Sequence, residues 1–290
     1  ASKALPNDAN KYSHGCVLVV GGGEVYHGAP IAASNATNSL LTSLRVGAGY
    51  VSMFLPKELE GIAKKLSANS IVRSFKSYDE LPEKIKYIRH DSLVIGMGIK
   101  SMSSKILEQI IRQENSSKRI VVVDGGAIEA ARGINLRNNI ITPHEGEFYK
   151  ISGIKPSKDI KKRIEEAKEF ANEYGGTIVL KGHQTIITDG SRIKINTSKS
   201  PALATMGTGG VLAGMIGAYA AISKKPCESA VAGVYAQGAI GDMLYRRKGN
   251  HLLASDIIDE IPHLLKKYDK MMSHYTCVNN TSFIKSSNSK

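Results

Sequence analysis

Short, β-branched apolar runs recur along this chain with helix-period stretches between them, and that alternation constrains its fold more than any other feature. Candidate strands are Cys16–Val20, Tyr50–Leu55, Ser92–Ile95, Arg119–Asp124, Asn139–Thr142 and Thr177–Lys181. Between them, segments such as Ile31–Val46 and Ser104–Gln113 repeat their apolar residues with a helical period. A strand that feeds a helix and then another strand builds a parallel pair, and the helices must cover both faces. The expectation is an α/β fold with a mainly parallel central sheet. Two later segments, Gly209–Ala221 and Glu228–Leu244, are apolar and rich in small residues, which predicts helices that pack deep. Near Thr185 the pattern changes. TIITDGSRIKI places two β-rich runs around Asp189-Gly190, a hairpin signal.

Of the 290 residues, 42% are hydrophobic and 22% charged, which places the chain among globular proteins that bury a core. No linker or repeat interrupts it, so residues 1–278 read as one domain and 279–290 as a flexible tail. No apolar run is long enough for a membrane span, and the N-terminus, ASKALPNDANKYSHG, lacks an apolar secretory core. A cytoplasmic protein is expected. Cys16, Cys227 and Cys277 are widely spaced and odd in number, which suits free thiols in a reducing compartment rather than a metal or redox motif. The net charge of +13 is dispersed. Its densest run, Lys158 to Glu166, mixes signs at helical spacing and reads as a solvated helix face, not a nucleic-acid groove. A positive field also suits a phosphorylated ligand.

In an open parallel sheet, ligands bind where the strands end. Gly21-Gly22-Gly23 and Gly96-Met97-Gly98 follow strands and are either tight turns or close backbone approaches to a ligand. Asp124-Gly125-Gly126 offers a carboxylate that either caps the next helix or meets a ligand or metal shell. Thr142-Pro143-His144-Glu145-Gly146-Glu147 is either a capped helix start or a ligand site with His144 as hydrogen-bond partner. Lys181-Gly182-His183-Gln184-Thr185 is either a surface turn or a phosphate contact. The strongest signal is Ala204 to Gly214, where Gly207-Thr208-Gly209-Gly210 opens directly into an apolar helix. Backbone N–H groups and the helix dipole there make an anion cradle. The spacing is neither a Walker A loop nor a dinucleotide fingerprint.

Taken together, VLVVGGG, GAPIAA, LRVGAGYVSM, VIGMG, VVVDGGAI, ITPHEGEF, VLKGHQT, LATMGTGG, YAQGAIGD and ASDII resemble the NAD(P)H-hydrate dehydratase family of the ribokinase-like superfamily, in order from about Leu5 to Pro262. The resemblance implies a ribokinase-like fold. It implies ADP- or ATP-dependent dehydration of the S epimer of hydrated NADH or NADPH, with the hydroxyl phosphorylated and the phosphate then eliminated. It implies that Ala29, Gly98, His144 and position 210 line the substrate. Lys181, Gly182, His183, Gln184, Thr185, Thr208 and Gly209 would line the adenine nucleotide. Mg2+ would bridge the phosphates with Glu147 near its water shell. It also implies a homotetramer and a functional link to an NAD(P)H-hydrate epimerase, which some relatives carry fused at the N-terminus.

Three positions depart from the family pattern. The family loop reads GTGD, and its aspartate is the presumed base; here Gly207 and Gly209 are kept and the aspartate is Gly210. The strand-end DAD becomes Asp124-Gly125-Gly126, and KGxGT becomes KGHQT. A general base contributes about 10²–10⁴-fold, so turnover should suffer while backbone anion binding survives. Glu145, Asp124 and Asp242 are the candidates to replace the base. The alternatives are a catalytically silent nucleotide-binding protein and a sugar or thiazole-alcohol kinase.

Overall fold

The computed structural model describes residues 10–23, 29–66, 71–198 and 200–280, with only the helical backbone described for 29–36 and 270–280. Among the described residues, nine strands form one sheet in the order β3-β2-β1-β4-β5-β6-β7-β8-β9. They are β1 Cys16–Val20, β2 Tyr50–Pro56, β3 Ile71–Phe75, β4 Ser92–Ile95, β5 Ile120–Val123, β6 Ile140–Ile141, β7 Thr177–Leu180, β8 Thr185–Thr188 and β9 Ile193–Asn196. Pairing is parallel from β3 through β7 and antiparallel for β7–β8 and β8–β9. The six expected strands are present, trimmed or extended by a residue or so at some ends.

Side-chain alternation shows why both faces are covered. Val17 and Val19 of β1, Val94 of β4 and Val122 of β5 join one core cluster, while Leu18, Val20, Leu93, Ile95, Val121 and Val123 join the other. Two dry faces require apolar residues at every position, which is why these strands read as continuous runs. The first cluster lies under α1 (Ala29–Val46), α2 (Glu60–Leu66), α7 (Thr208–Ser223), α8 (Pro226–Lys248) and α9 (Ala254–Asn280). The second lies under α3 (Leu81–Ile85), α4 (Ser104–Ser116), α5 (Glu145–Ser152) and α6 (Ile160–Tyr174).

As expected, α7 is buried deep, and its small residues explain how. A Cβ on Gly214 would sit 2.3 Å from the Ser39 carbonyl oxygen of α1, and one on Gly217 would sit 2.2 Å from Val94 Cγ2 of β4. Helix, neighbour helix and sheet are thus in backbone-close contact. The Asp189 turn also holds. Its Oδ1 accepts from the N–H groups of Ser191 (3.1 Å) and Arg192 (2.7 Å), and Gly190 takes φ +88°.

Two features differ from the sequence reading. Strand β3 was not anticipated: it is an edge strand with two of its five residues exposed and two half-buried, Ile71 being 43% accessible, so no continuous apolar run marks it. The charged run 158–166 is not simply a solvated face. Asp159 caps α6 by accepting from Lys162 N–H, but Arg163 and Glu166 are each only 7% exposed. Among the described residues Cys16 and Cys227 are buried free thiols, and burial raises the pKa of both. Helix α9 continues to Asn280; residues 281–290, most of the expected tail, and the loop residues Tyr26, His27 and Gly28 lie outside the described residues.

Candidate functional site

The loops that follow β4, β5, β6 and β7 meet at one end of the sheet. The first two are locked together by glycine. Gly126 N–H donates to Gly96 O at 3.1 Å, a Cβ on Gly96 would meet Asp124 O at 1.7 Å, and one on Gly126 would meet Ile99 O at 1.7 Å. Position 126 therefore has no room for a side chain, which is the structural counterpart of DAD becoming Asp124-Gly125-Gly126. Gly98, with φ +74°, belongs to the same packed turn. A Cβ on Gly23 would lie 2.8 Å from its carbonyl oxygen, so the loop after β1 joins this layer. Ala29 is the first residue of α1.

Asp124 does not cap the turn that follows it. Its side chain makes no cap hydrogen bond; instead Oδ1 accepts from Thr142 Oγ1 at 2.6 Å and from Lys181 Nζ at 3.1 Å. The residue is 5% exposed, so both bonds act in a low-dielectric setting. Lys181, just past β7, donates its N–H to Pro143 O at 2.8 Å. Its ammonium lies between Asp124 Oδ1 and Glu147 Oε2, the latter at 3.9 Å.

His144 and Glu147 form a reciprocal cap on α5. His144 Nδ1 accepts from the N–H groups of Gly146 (3.0 Å) and Glu147 (3.3 Å), and Glu147 Oε2 accepts from His144 N–H at 2.8 Å. The capped-helix reading is thus correct, and it has a chemical consequence. With Nδ1 accepting, the ring proton of the neutral imidazole sits on Nε2, a donor on a side chain that is 61% exposed. Burial pushes the Glu147 carboxyl above the ordinary carboxylate range, the Asp124 charge adds to that, and Lys181 and the His144 N–H only partly oppose it.

Helix α7 arrives at the same cluster. Gly207 precedes it at φ +92° and supplies no side-chain cap. Thr208 does not face outward: its Oγ1 donates back to the carbonyls of Leu203 or Thr205, each at 2.8 Å, and its own carbonyl accepts from Gln237 Nε2 at 2.7 Å. Val211 N–H bonds Gly207 O at 3.3 Å, which leaves the N–H groups of Gly209 and Gly210 ahead of the helical ladder. A Cβ on Gly209 would sit 3.8 Å from Lys181 Nζ, so cation and helix end converge. Met206, 75% exposed beside this loop, was not singled out from the sequence; an exposed methionine has no periodic signature.

Of the three carboxylates considered as replacements for a base at 210, Asp124 is the one bonded into this cluster. Glu145 is ion-paired with Arg163, and Asp242 Oδ1 accepts from Ser198 Oγ at 2.8 Å. The Lys181–Thr185 turn is divided. Lys181 turns towards α7, whereas His183 and Gln184 line a cavity on the α5–α6 side. Thr185 Oγ1 bonds back to Gly182 O at 3.3 Å. Gly182 packs on Arg163, whose Nη2 would lie 2.5 Å from a Cβ there.

Comparisons with known proteins bear on the family and the fold. A family model described as NAD(P)H-hydrate dehydratase matches residues 17–263. An ADP-dependent (S)-NAD(P)H-hydrate dehydratase of Nitrosopumilus maritimus is 32% identical over 277 residues, covering 91% of this chain and 93% of that protein. A bifunctional NAD(P)H-hydrate repair enzyme of Pyrobaculum aerophilum is 30% identical over 90% of this chain, but the chain spans only 52% of that relative. Among solved structures, a ribokinase-like superfamily protein of Enterococcus faecalis superposes with a TM-score of 0.76 at 26% identity, covering 92% of each chain. An ADP/ATP-dependent NAD(P)H-hydrate dehydratase of Bacillus subtilis, co-crystallised with ATP and Mg2+, shares the fold at a TM-score of 0.77 and 24% identity, covering 92% of this chain and 94% of that one. A mainly parallel, doubly covered sheet carrying these loops thus coincides with a match across most of the chain, and the protein belongs to the NAD(P)H-hydrate dehydratase family, lyase-type enzymes with a ribokinase-like fold.

Proposed function

We propose that this chain dehydrates (S)-NAD(P)H-hydrate with ADP or ATP, at a rate lowered by the missing side chain at position 210. The observation that carries this reading is the convergence of Lys181 Nζ with Asp124 and the open N-terminus of α7. Phosphoryl chemistry is mainly positioning and charge stabilisation. The backbone N–H groups of Gly209 and Gly210 and the Lys181 ammonium would hold phosphate oxygens. Asp124, fixed by Thr142, aims that ammonium. His144 Nε2–H would donate to a polar group of the hydrated nicotinamide, with Ala29, at the first position of α1, and Gly98, after β4, as the further substrate-side residues that the resemblance implies.

Mg2+ fits these residues. Asp124 and Glu147 offer hard oxygen donors beside the cradle, and no group of three or more metal-ligating side chains is present among the described residues. Mg2+ needs only one or two carboxylates when water and phosphates complete its shell. Glu147 would hold the ion through water, and the ion would neutralise charge on the phosphates.

The test is the return of reduced-nicotinamide absorbance from the S hydrate, with ADP or ATP and Mg2+. Slow but nucleotide-dependent recovery is expected. No recovery with either nucleotide at any pH overturns the reading and leaves a silent nucleotide-binding protein, the reading that Gly210 itself favours.

A further inference from the structure

The start of α7 poses a problem of orientation. Gly207, Gly209 and Gly210 leave its backbone freer to rotate than other residue types would. Yet donors stabilise a bound anion best when their directions are fixed in advance. Gly207 supplies no side-chain cap, so the constraint must come from outside the loop.

Helix α8 is the element that supplies it. A Cβ on Gly241 would sit 2.7 Å from Leu203 Cδ1, and one on Gly238 would sit 3.0 Å from Ser198 Cβ. The helix therefore lies in backbone-close contact with the chain that leads into the cradle. One turn before Gly241, Gln237 Nε2 donates to Thr208 O at 2.7 Å. Gln237 and Thr208 are each only 8% exposed, so this bond is largely shielded from water. A carbonyl oxygen only accepts, which fixes the NH2 end of the amide towards it. The Thr208 hydroxyl is committed elsewhere, to the carbonyls of Leu203 or Thr205.

The carbonyl that Gln237 holds belongs to the same planar peptide unit as the Gly209 N–H. In a trans peptide the two groups point in opposite directions. A bond that draws Thr208 O towards α8 thus aims the Gly209 N–H away from α8, out of the helix end. Lys181 Nζ lies 3.8 Å from a Cβ built on that same residue. A hydrogen bond at the carbonyl also polarises the peptide unit and strengthens its N–H as a donor. Without it, a glycine at 209 does little to resist rotation of the unit, which would turn a carbonyl dipole towards the anion.

We propose that Gln237 is a positioning residue for the phosphate cradle: through Thr208 O it sets the direction of the Gly209 N–H, without itself touching the ligand. The proposal rests on the reading that the α7 cradle holds the phosphates of the adenine nucleotide.

Two variants of the full chain test it. Gln237→Met keeps the length of the side chain and removes the donor. Gln237→Asn keeps the amide and shortens its reach, and serves if the methionine variant does not fold. Each is followed by ADP calorimetry, by thermal unfolding and by the NMR shift of the Gly209 amide proton. ADP should bind about tenfold more weakly, and the Gly209 amide proton should move upfield before any ligand is added. A folded variant that binds ADP within about twofold of the unaltered chain overturns the proposal. So does a Gly209 resonance that stays in place; a lowered unfolding midpoint with both other readouts unchanged would assign Gln237 to packing alone. The cradle reading fails on a different result: ADP that leaves the Gly209 amide of the unaltered chain unshifted and binds Lys181→Ala equally well. The Gly209 shift in the ligand-free variants then still decides whether Gln237 orients the peptide.

Discussion

Gly210→Asp should convert a slow dehydratase into a faster one. Gly210 is the third residue of α7, buried, in the turn whose N–H groups precede the ladder. A carboxylate in the first turn gains about 0.3–1 kcal/mol from the helix dipole, and replacing a helical glycine recovers a few tenths more. Gly210 is buried, however, so desolvation of the new carboxylate works against these gains. A net loss of about 1–2 kcal/mol of folding stability is expected. The rate is another matter. A positioned base supplies about 10²–10⁴-fold, or roughly 3–5 kcal/mol of barrier. ADP affinity should fall by at most about tenfold through repulsion between carboxylate and phosphate, since the backbone donors are untouched. The assay is kcat for recovery of NADH from its S hydrate, run beside Gly210→Asn, which adds the same bulk and no base. A kcat gain under about tenfold for Asp, or an equal gain for Asn, would refute the assignment of base chemistry to position 210.

Arg163→Ala removes the bond to Lys181 O and the partner of Glu145; about 1–2 kcal/mol of stability should go, and ADP should bind about tenfold more weakly by calorimetry. Arg163→Lys should not restore affinity, because an ammonium cannot span both acceptors. Gly126→Ala drives a Cβ to 1.7 Å from Ile99 O, so urea denaturation should show a loss of about 2–3 kcal/mol, and an unchanged midpoint would disprove the close loop packing. At the far end of the strands, buried Glu114 accepts from His90 Nε2 at 2.8 Å and lies 3.4 Å from Arg119 Nη1. Burial raises its pKa, but His90 and then Arg119 outweigh burial and hold it below the ordinary carboxylate range. Its contribution is therefore present above the unfolded pKa of about 4.3 and lost as pH falls through the lower folded value. Glu114→Gln should cost about 3 kcal/mol at neutral pH by breaking a buried pair and flatten the acid limb of stability against pH.

The parallel core was legible because burial on both faces forces continuous apolar runs, as in Val121 to Val123 between their two clusters. Strand β3 was not, because an edge strand with only Phe75 fully buried carries no such run. The start of α7 was legible because glycine supplies the left-handed φ of +92° that residue 207 takes ahead of the helix. The partner of Asp124 was not. Thr142 is 18 residues away and Lys181 is 57, and nothing in local pattern distinguishes a cap from a long-range ion pair. The charged run at 158–166 was legible as a mostly exposed helix face, with Lys158, Asp159, Lys161, Lys162 and Glu165 in water, but not the burial of Arg163, because only the tertiary partners Glu145 and Lys181 draw it inside.

The two lost carboxylates are not equivalent, and the difference bears on whether the chain still turns over. Position 126 cannot carry a side chain, because Ile99 O occupies the space; that loss is built into the packing of the loops after β4 and β5. Position 210 imposes no such demand through its backbone: the left-handed conformation in this loop belongs to Gly207 at φ +92°, and residue 210 lies within helix α7. Meanwhile Asp124, Thr142, Lys181, His144 and Glu147 keep a mutually bonded arrangement whose cost is real. Glu147 is buried against its own charged form, and Lys181 gives up most of its exposure to pair with Asp124. A fold that needed only a packed strand end would be better served by apolar residues there. If position 210 carries the base in relatives, as the sequence resemblance implies, a charge cluster kept without it is what a site for binding phosphate predicts. Gly210→Asp is then the perturbation that separates binding from chemistry, since it adds a carboxylate on α7 and leaves Asp124, Thr142, Lys181, His144 and Glu147 in the sequence.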